Sequence, residues 1–144
     1  DNMKKTDIIL IVIIAVVSGI AYLVMNLVVN SSGVEDGIAV VIFEDEKILE
    51  IYLEDGDYKI IDQQMGITVD EENGLFTIPN TNGEHDLIIE YGNNQVRVVE
   101  EVSPQHICRE QGWSNSPLKP ITCLPNRLVI VIKTDELPPI DDIT

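Results

Sequence analysis

Hydrophobic positions follow two unlike patterns along this chain. Residues 8–29 run without a single charge, dominated by Ile, Val, Leu and Ala and interrupted by the less apolar Ser18, Gly19, Tyr22 and Asn26. At about 1.5 Å per residue such a run makes a helix of roughly 33 Å, enough to cross a hydrocarbon core of about 30 Å. A cleaved leader would have a shorter apolar stretch, about 7–15 residues, followed by a small-x-small site. Here the polar sequence Asn30-Ser31-Ser32-Gly33 follows instead. The expectation is a retained transmembrane helix over 8–29 and a hinge over 30–37.

Beyond the hinge, apolar residues alternate with polar ones over short stretches, and helical periodicity is nowhere sustained. Strands are predicted over 38–44, 48–53, 58–62, 66–69, 75–79, 86–91, 95–101 and 127–133. Glu54-Asp55-Gly56-Asp57, Glu72-Asn73-Gly74, Asn82-Gly83 and Gly92-Asn93-Asn94 punctuate them with residues that tolerate positive φ or close side-chain turns. Val96 and Val98 fall on one face with Arg97 opposite, and Leu128, Ile130 and Ile132 oppose Arg127, Val129 and Val131. Segments 86–91 and 95–101, joined through Gly92-Asn93-Asn94, form the best hairpin. No intervening helix is long enough for a βαβ crossover. The fold class is therefore mainly β, a small antiparallel barrel or sandwich over 38–133 behind one N-terminal helix. Segment 134–144, with Pro138-Pro139 and four acids, reads as a mobile acidic tail.

Charge adds a direction. Lys4 and Lys5 precede the apolar run, while 30–45 has no Lys or Arg and holds Glu35, Asp36, Glu44 and Asp45. The positive-inside rule then leaves 1–7 in the cytoplasm and the β domain outside the cell membrane. Met3 resembles a natural start, with Asp1 and Asn2 as an addition or an alternative start. The formal net charge of −16 lies wholly beyond the apolar run, because Asp1 and Asp7 cancel Lys4 and Lys5. Phosphate binding needs a basic footprint, so nucleic acid is not an expected partner, and the acids read as a solvated surface.

Between the last two predicted strands lies Ser103-Pro104-Gln105-His106-Ile107-Cys108-Arg109-Glu110-Gln111-Gly112-Trp113. After it comes Pro117-Leu118-Lys119-Pro120-Ile121-Thr122-Cys123-Leu124-Pro125-Asn126-Arg127-Leu128-Val129-Ile130. This stretch resembles the NusG domain II-like family, with its S-P-x-x-I-C-x-x-x-G-W and P-I-x-C-L-P-N-x-L-V-I patterns. The resemblance implies a β-rich insertion-type domain behind a short anchor. It does not carry transcription with it, because a domain outside the cell cannot meet RNA polymerase. Anchored relatives in Gram-positive bacteria look like companions of a polytopic membrane protein, some in loci for flavin-based extracellular electron transfer.

Cys108 and Cys123 are the only cysteines, and an extracytoplasmic position permits a structural disulfide between them. A redox-active pair is the sharper alternative, but it lacks C-x-x-C spacing. A metal site would recruit His106 and, more distantly, His85, at spacings that match no zinc pattern, so no metal is expected. Asp55-Gly56-Asp57 and Asp70-Glu71-Glu72 read as solvated turns rather than calcium loops. Without G-x-S-x-G, a phosphate-binding glycine loop or H-E-x-x-H, neither catalysis nor a cofactor is expected.

Trp113 either plugs the base of the cysteine loop, the favoured reading, or stands out as a partner-binding anchor together with Gly112, Pro117 and Leu118. Ala15, Ser18 and Gly19 offer a close-packing face within the membrane. The reading that unites these features is a non-catalytic, membrane-anchored accessory subunit. Its partners would be a polytopic integral membrane protein and membrane lipid, with electron transfer as the setting the resemblance implies. A pilin-like filament subunit and a flavin- or quinone-contacting redox protein are the alternatives.

Overall fold

In the computed structural model, which describes residues 4–80, 85–101 and 105–134, the chain divides into units 1–32 and 33–144. The expected tail, apart from Thr134, and the Asn82-Gly83 turn lie outside the described residues, as do Met3 and the Ser103-Pro104 start of the family pattern.

The first unit is helix α1 (Lys5–Ser31), 27 residues with none buried. Its best 18-residue stretch has a mean hydropathy of 3.0, so the helix is long and apolar enough to span a membrane. It extends three residues before and two beyond the expected span, because Lys5, Thr6, Asp7, Asn30 and Ser31 continue the turns although they are polar. Ser18 returns its hydroxyl to the Ile14 carbonyl at 2.8 Å, and a Cβ on Gly19 would meet nothing within 4 Å. The face of Ala15, Ser18 and Gly19 is therefore open.

The second unit packs two antiparallel sheets. Its strands are β1 (Ile38–Phe43), β2 (Glu46–Tyr52), β3 (Tyr58–Ile60), β4 (Thr68–Asp70), β5 (Leu75–Ile78), β6 (Leu87–Gly92), β7 (Gln95–Glu100), β8 (Ile121–Cys123) and β9 (Leu128–Lys133). One sheet runs β3-β2-β1-β9-β8 and the other β4-β5-β6-β7. Neither closes on itself, so of the two expected architectures the sandwich is the one formed. Alternation determines which residues face inward. Val41, Leu49, Ile51, Ile130 and Ile132 of one sheet join Phe76, Ile78, Leu87, Ile89, Val96 and Val98 of the other in a single core cluster. Val129 and Val131 are only half-buried, as the alternation predicts.

The β6–β7 hairpin closes through a two-residue turn, Asn93 at φ 50° and Asn94 at φ 59°, with Gly92 paired to Gln95 inside the ladder. The expected three-residue connection is thus one residue shorter, because two asparagines in left-handed conformations already supply the twist of a tight hairpin. Glu44 (φ 50°) and Asp45 (φ 69°) turn β1 into β2 in the same way, ending β1 one residue earlier than expected. Strand β8 and the single-turn helix α2 (Ile107–Glu110) lie in the stretch that carried the family pattern.

Candidate functional site

Glu101, α2 and β8, between the last strands of the two sheets, meet in one buried knot. Cys108 of α2 is disulfide-bonded to Cys123 of β8, with the Cα atoms 5.2 Å apart and both residues fully buried. Beside them lies Glu101, which directly follows β7 and is 5 % exposed. One oxygen of its carboxyl group, Oε1, accepts the backbone N–H groups of Cys108 (2.8 Å) and Arg109 (3.0 Å). The other, Oε2, lies 3.4 Å from Cys123 Sγ, a sulfur that has no proton to donate once it is in a disulfide. Asn126 approaches the same sulfur, with Nδ2 at 3.3 Å. One acidic side chain thus ties the end of the second sheet to the start of α2, and the disulfide carries the connection on to the edge of the first sheet.

Gln111 makes a second tie. Its Nε2 donates to the Thr122 carbonyl at 2.7 Å, and its Oε1 accepts the Thr122 N–H at 3.0 Å. A side-chain amide therefore supplies β8 with the pair of hydrogen bonds that a neighbouring strand would offer. Sequence reading did not find Glu101 or Gln111. A polar residue at a strand end looks like solvated surface, and only the orphan N–H groups arriving seven or more residues later make it internal.

Trp113 packs. Its ring is half-buried, with the Arg97 guanidinium carbon 4.5 Å from the ring centroid, and a Cβ on Gly92 would come within 3.2 Å of it. Arg97 is held in turn by Glu90 across the hairpin, through an ion pair at 2.6 Å. The ring therefore covers the outer face of the β6–β7 hairpin under a cation, and the next residue, Ser114, pairs with Val96 through reciprocal backbone bonds of 2.8 and 3.0 Å. Gly112 makes the turn into this pairing at φ 70°. Pro117 is half-buried, whereas Leu118 stands out at 59 % exposure. Leu124 (78 %) and Ile107 (44 %), neither of them singled out from sequence, are also exposed beside the two cysteines. The segment is held internally by polar ties and leaves aliphatic side chains outside.

The histidines do not join the cysteines. Among the described residues, the group whose ligating atoms lie within 4.8 Å of one another is Glu101, Cys108 and Cys123. A disulfide cannot offer thiolates, so the oxidised knot has no ligand set for zinc. In the acidic turns, Asp70 accepts the Asn73 backbone N–H at 3.2 Å and its Nδ2 at 2.8 Å. Those bonds hold its carboxyl below the usual carboxylate range and show a turn-closing role.

A family model for NusG domain II matches residues 8–136. Three solved structures are similar in shape. The crystal structure of the Lin0431 protein from Listeria innocua is 23 % identical, matching 69 % of this chain and 98 % of its own, at a TM-score of 0.53. The solution structure of the same protein matches 78 % and 90 %, at 23 % identity and 0.53. A crystal structure of a DUF1312 family protein from Enterococcus faecalis matches 69 % and 99 %, at 22 % identity and 0.46. No curated protein matches the sequence.

Proposed function

The chain belongs to the NusG domain II family, and we propose that it is a non-catalytic, membrane-anchored accessory subunit that docks on a polytopic membrane protein. The observation that carries this reading is α1, 27 residues with no residue buried and an 18-residue stretch of mean hydropathy 3.0. Water solvates such a surface at a large cost, whereas lipid or another apolar helix does not. The Ala15, Ser18 and Gly19 face allows close approach by a partner helix. Lys4 and Lys5 ahead of the span favour a cytoplasmic N-terminus, with the β domain and its disulfide on the oxidising side. On that side, Leu118, Leu124 and Ile107 supply exposed apolar contact area, while Trp113, Gly112 and Pro117 shape its support. The electron-transfer setting belongs to the same proposal.

Affinity purification of the tagged full chain in a mild maltoside tests the docking. A multi-span protein should be recovered in fixed ratio, and recovery of the chain alone across several detergents would refute it. Protease added to intact cells should digest the β domain. Deleting the gene should lower extracellular ferric reduction, and unchanged reduction would remove the electron-transfer part while leaving the docking intact.

A further inference from the structure

The two sheets of the β domain border a cleft of about 260 Å³. The β2–β3 turn brings Asp55 and Asp57 to it, β3 brings Tyr58, and the second sheet brings Glu71, Phe76 and Tyr91. The rings are fixed in place. Tyr58 stands edge-on to Phe76 with centroids 5.4 Å apart, and the Tyr91 hydroxyl donates to the Leu53 carbonyl at 3.0 Å. Gly56 accommodates the Tyr91 ring, since a Cβ there would come within 2.5 Å of it.

We propose that this cleft binds a small organic ammonium ion, its charge among Asp55, Asp57 and Glu71 and its alkyl body against Tyr58, Phe76 and Tyr91. Aromatic rings with carboxylates around them suit a cation that carries hydrocarbon, because ring quadrupole and carboxylate attract the charge while the ring bodies cover the chain. None of the three acids has an ion-pair partner among the described residues, where the ion pair joins Arg97 to Glu90 instead. Both phenols register that field. Tyr58 is raised above its ordinary pKa by its 3.0 Å hydrogen bond to Glu71, by burial and by the charges of Glu71 and Asp57. Tyr91 is raised by burial and by Asp55.

A metal ion suits the cleft less well. The three carboxylates do not all gather within 4.8 Å of one another, whereas calcium collects its oxygens at about 2.3–2.6 Å from a single centre. The volume lies just under the range of about 300–1,000 Å³ typical of drug-sized ligands, so the ion is a small one.

The test is a titration of isotope-labelled full chain in maltoside micelles with n-butylammonium chloride, followed by amide chemical shifts at constant ionic strength. Parallel titrations use neutral 1-butanol and calcium chloride. The expected result is saturable shifts at Asp57, Tyr58, Glu71 and Tyr91 with butylammonium and only weak, unsaturated ones with butanol. Each of Asp57→Asn and Glu71→Gln, at exposed positions that do not threaten folding, should weaken binding about two- to fivefold, as a partly exposed charge contact does. Tyr58→Leu should weaken it about two- to tenfold through the lost ring. Equal response to butanol, shifts that map elsewhere, indifference to the acid variants, or tighter saturation by calcium would each overturn the proposal.

Discussion

Replacing Glu101 by alanine should cost the β domain more stability than any other single polar substitution around the knot. Glu101 is 5 % exposed and its Oε1 satisfies two backbone N–H groups, those of Cys108 and Arg109. Alanine removes the acceptor and leaves both donors inside, and an unsatisfied buried donor costs about 1–3 kcal/mol. Partial rescue by water entering the vacated space puts the total at about 3 kcal/mol. Glutamine keeps the shape and one acceptor oxygen, so Glu101→Gln loses only the charge-assisted part of the two bonds, about 1 kcal/mol. Urea unfolding of the disulfide-intact protein measures both. With a slope of about 1.5 kcal/mol per molar, alanine should lower the midpoint by about 2 M and glutamine by less than about 1 M. Equal midpoints for the two variants, or an alanine variant within about 0.5 kcal/mol of the parent, would refute the claim that Oε1 is what those amides depend on.

The other expectations are smaller. Reducing the Cys108–Cys123 bond, which closes a separation of 15 residues, should cost about 3 kcal/mol in the chain-entropy model, read as a drop in urea midpoint on adding reductant. Arg97→Ala should uncover the Trp113 ring, shifting its fluorescence to the red and raising its quenching by acrylamide, with a stability loss of about 0.5–1 kcal/mol. The raised Tyr91 phenol gives a pH dependence with a definite sign. The unfolded chain loses this proton near its ordinary value of 10.0 while the folded chain retains it, so stability is unaffected below that pH and falls as pH rises through and beyond it. In Tyr91→Phe the alkaline fall, followed as the thermal midpoint between neutral pH and pH 11, should be shallower.

Local rules read off the strands well. Val96 and Val98 against Arg97, and Leu128, Ile130 and Ile132 against Val129 and Val131, face as their alternation predicts. Strand β8 escaped because Ile121-Thr122-Cys123 is three residues between a proline and a 3-10 turn, too short to show a period. Its partner is chosen by Gln111 and β9 rather than by its own sequence. The partition into two sheets was equally illegible, since β1 pairs β9 across most of the domain and no local signal encodes such a distance. Candidate contacts fared unevenly for a related reason. The two cysteines could be paired because the chain holds no others, and the structure pairs them. The cleft draws Tyr58, Phe76 and Tyr91 from three strands of two sheets, and its acids looked like ordinary turns until the fold gathered them.

The order β3-β2-β1-β9-β8 also constrains the sequence of events during synthesis. The second sheet is a meander of neighbours, so β4 to β7 can zip as they emerge. Strand β1, by contrast, keeps an open edge until residues 128–133 arrive to lie between it and β8. A nascent or truncated chain stopping short of Leu128 carries a hydrophobic strand with half its hydrogen bonds unmet, the kind of edge that recruits other chains. Quality control of this protein therefore turns on whether its last strand is delivered, more than on any residue nearer the start.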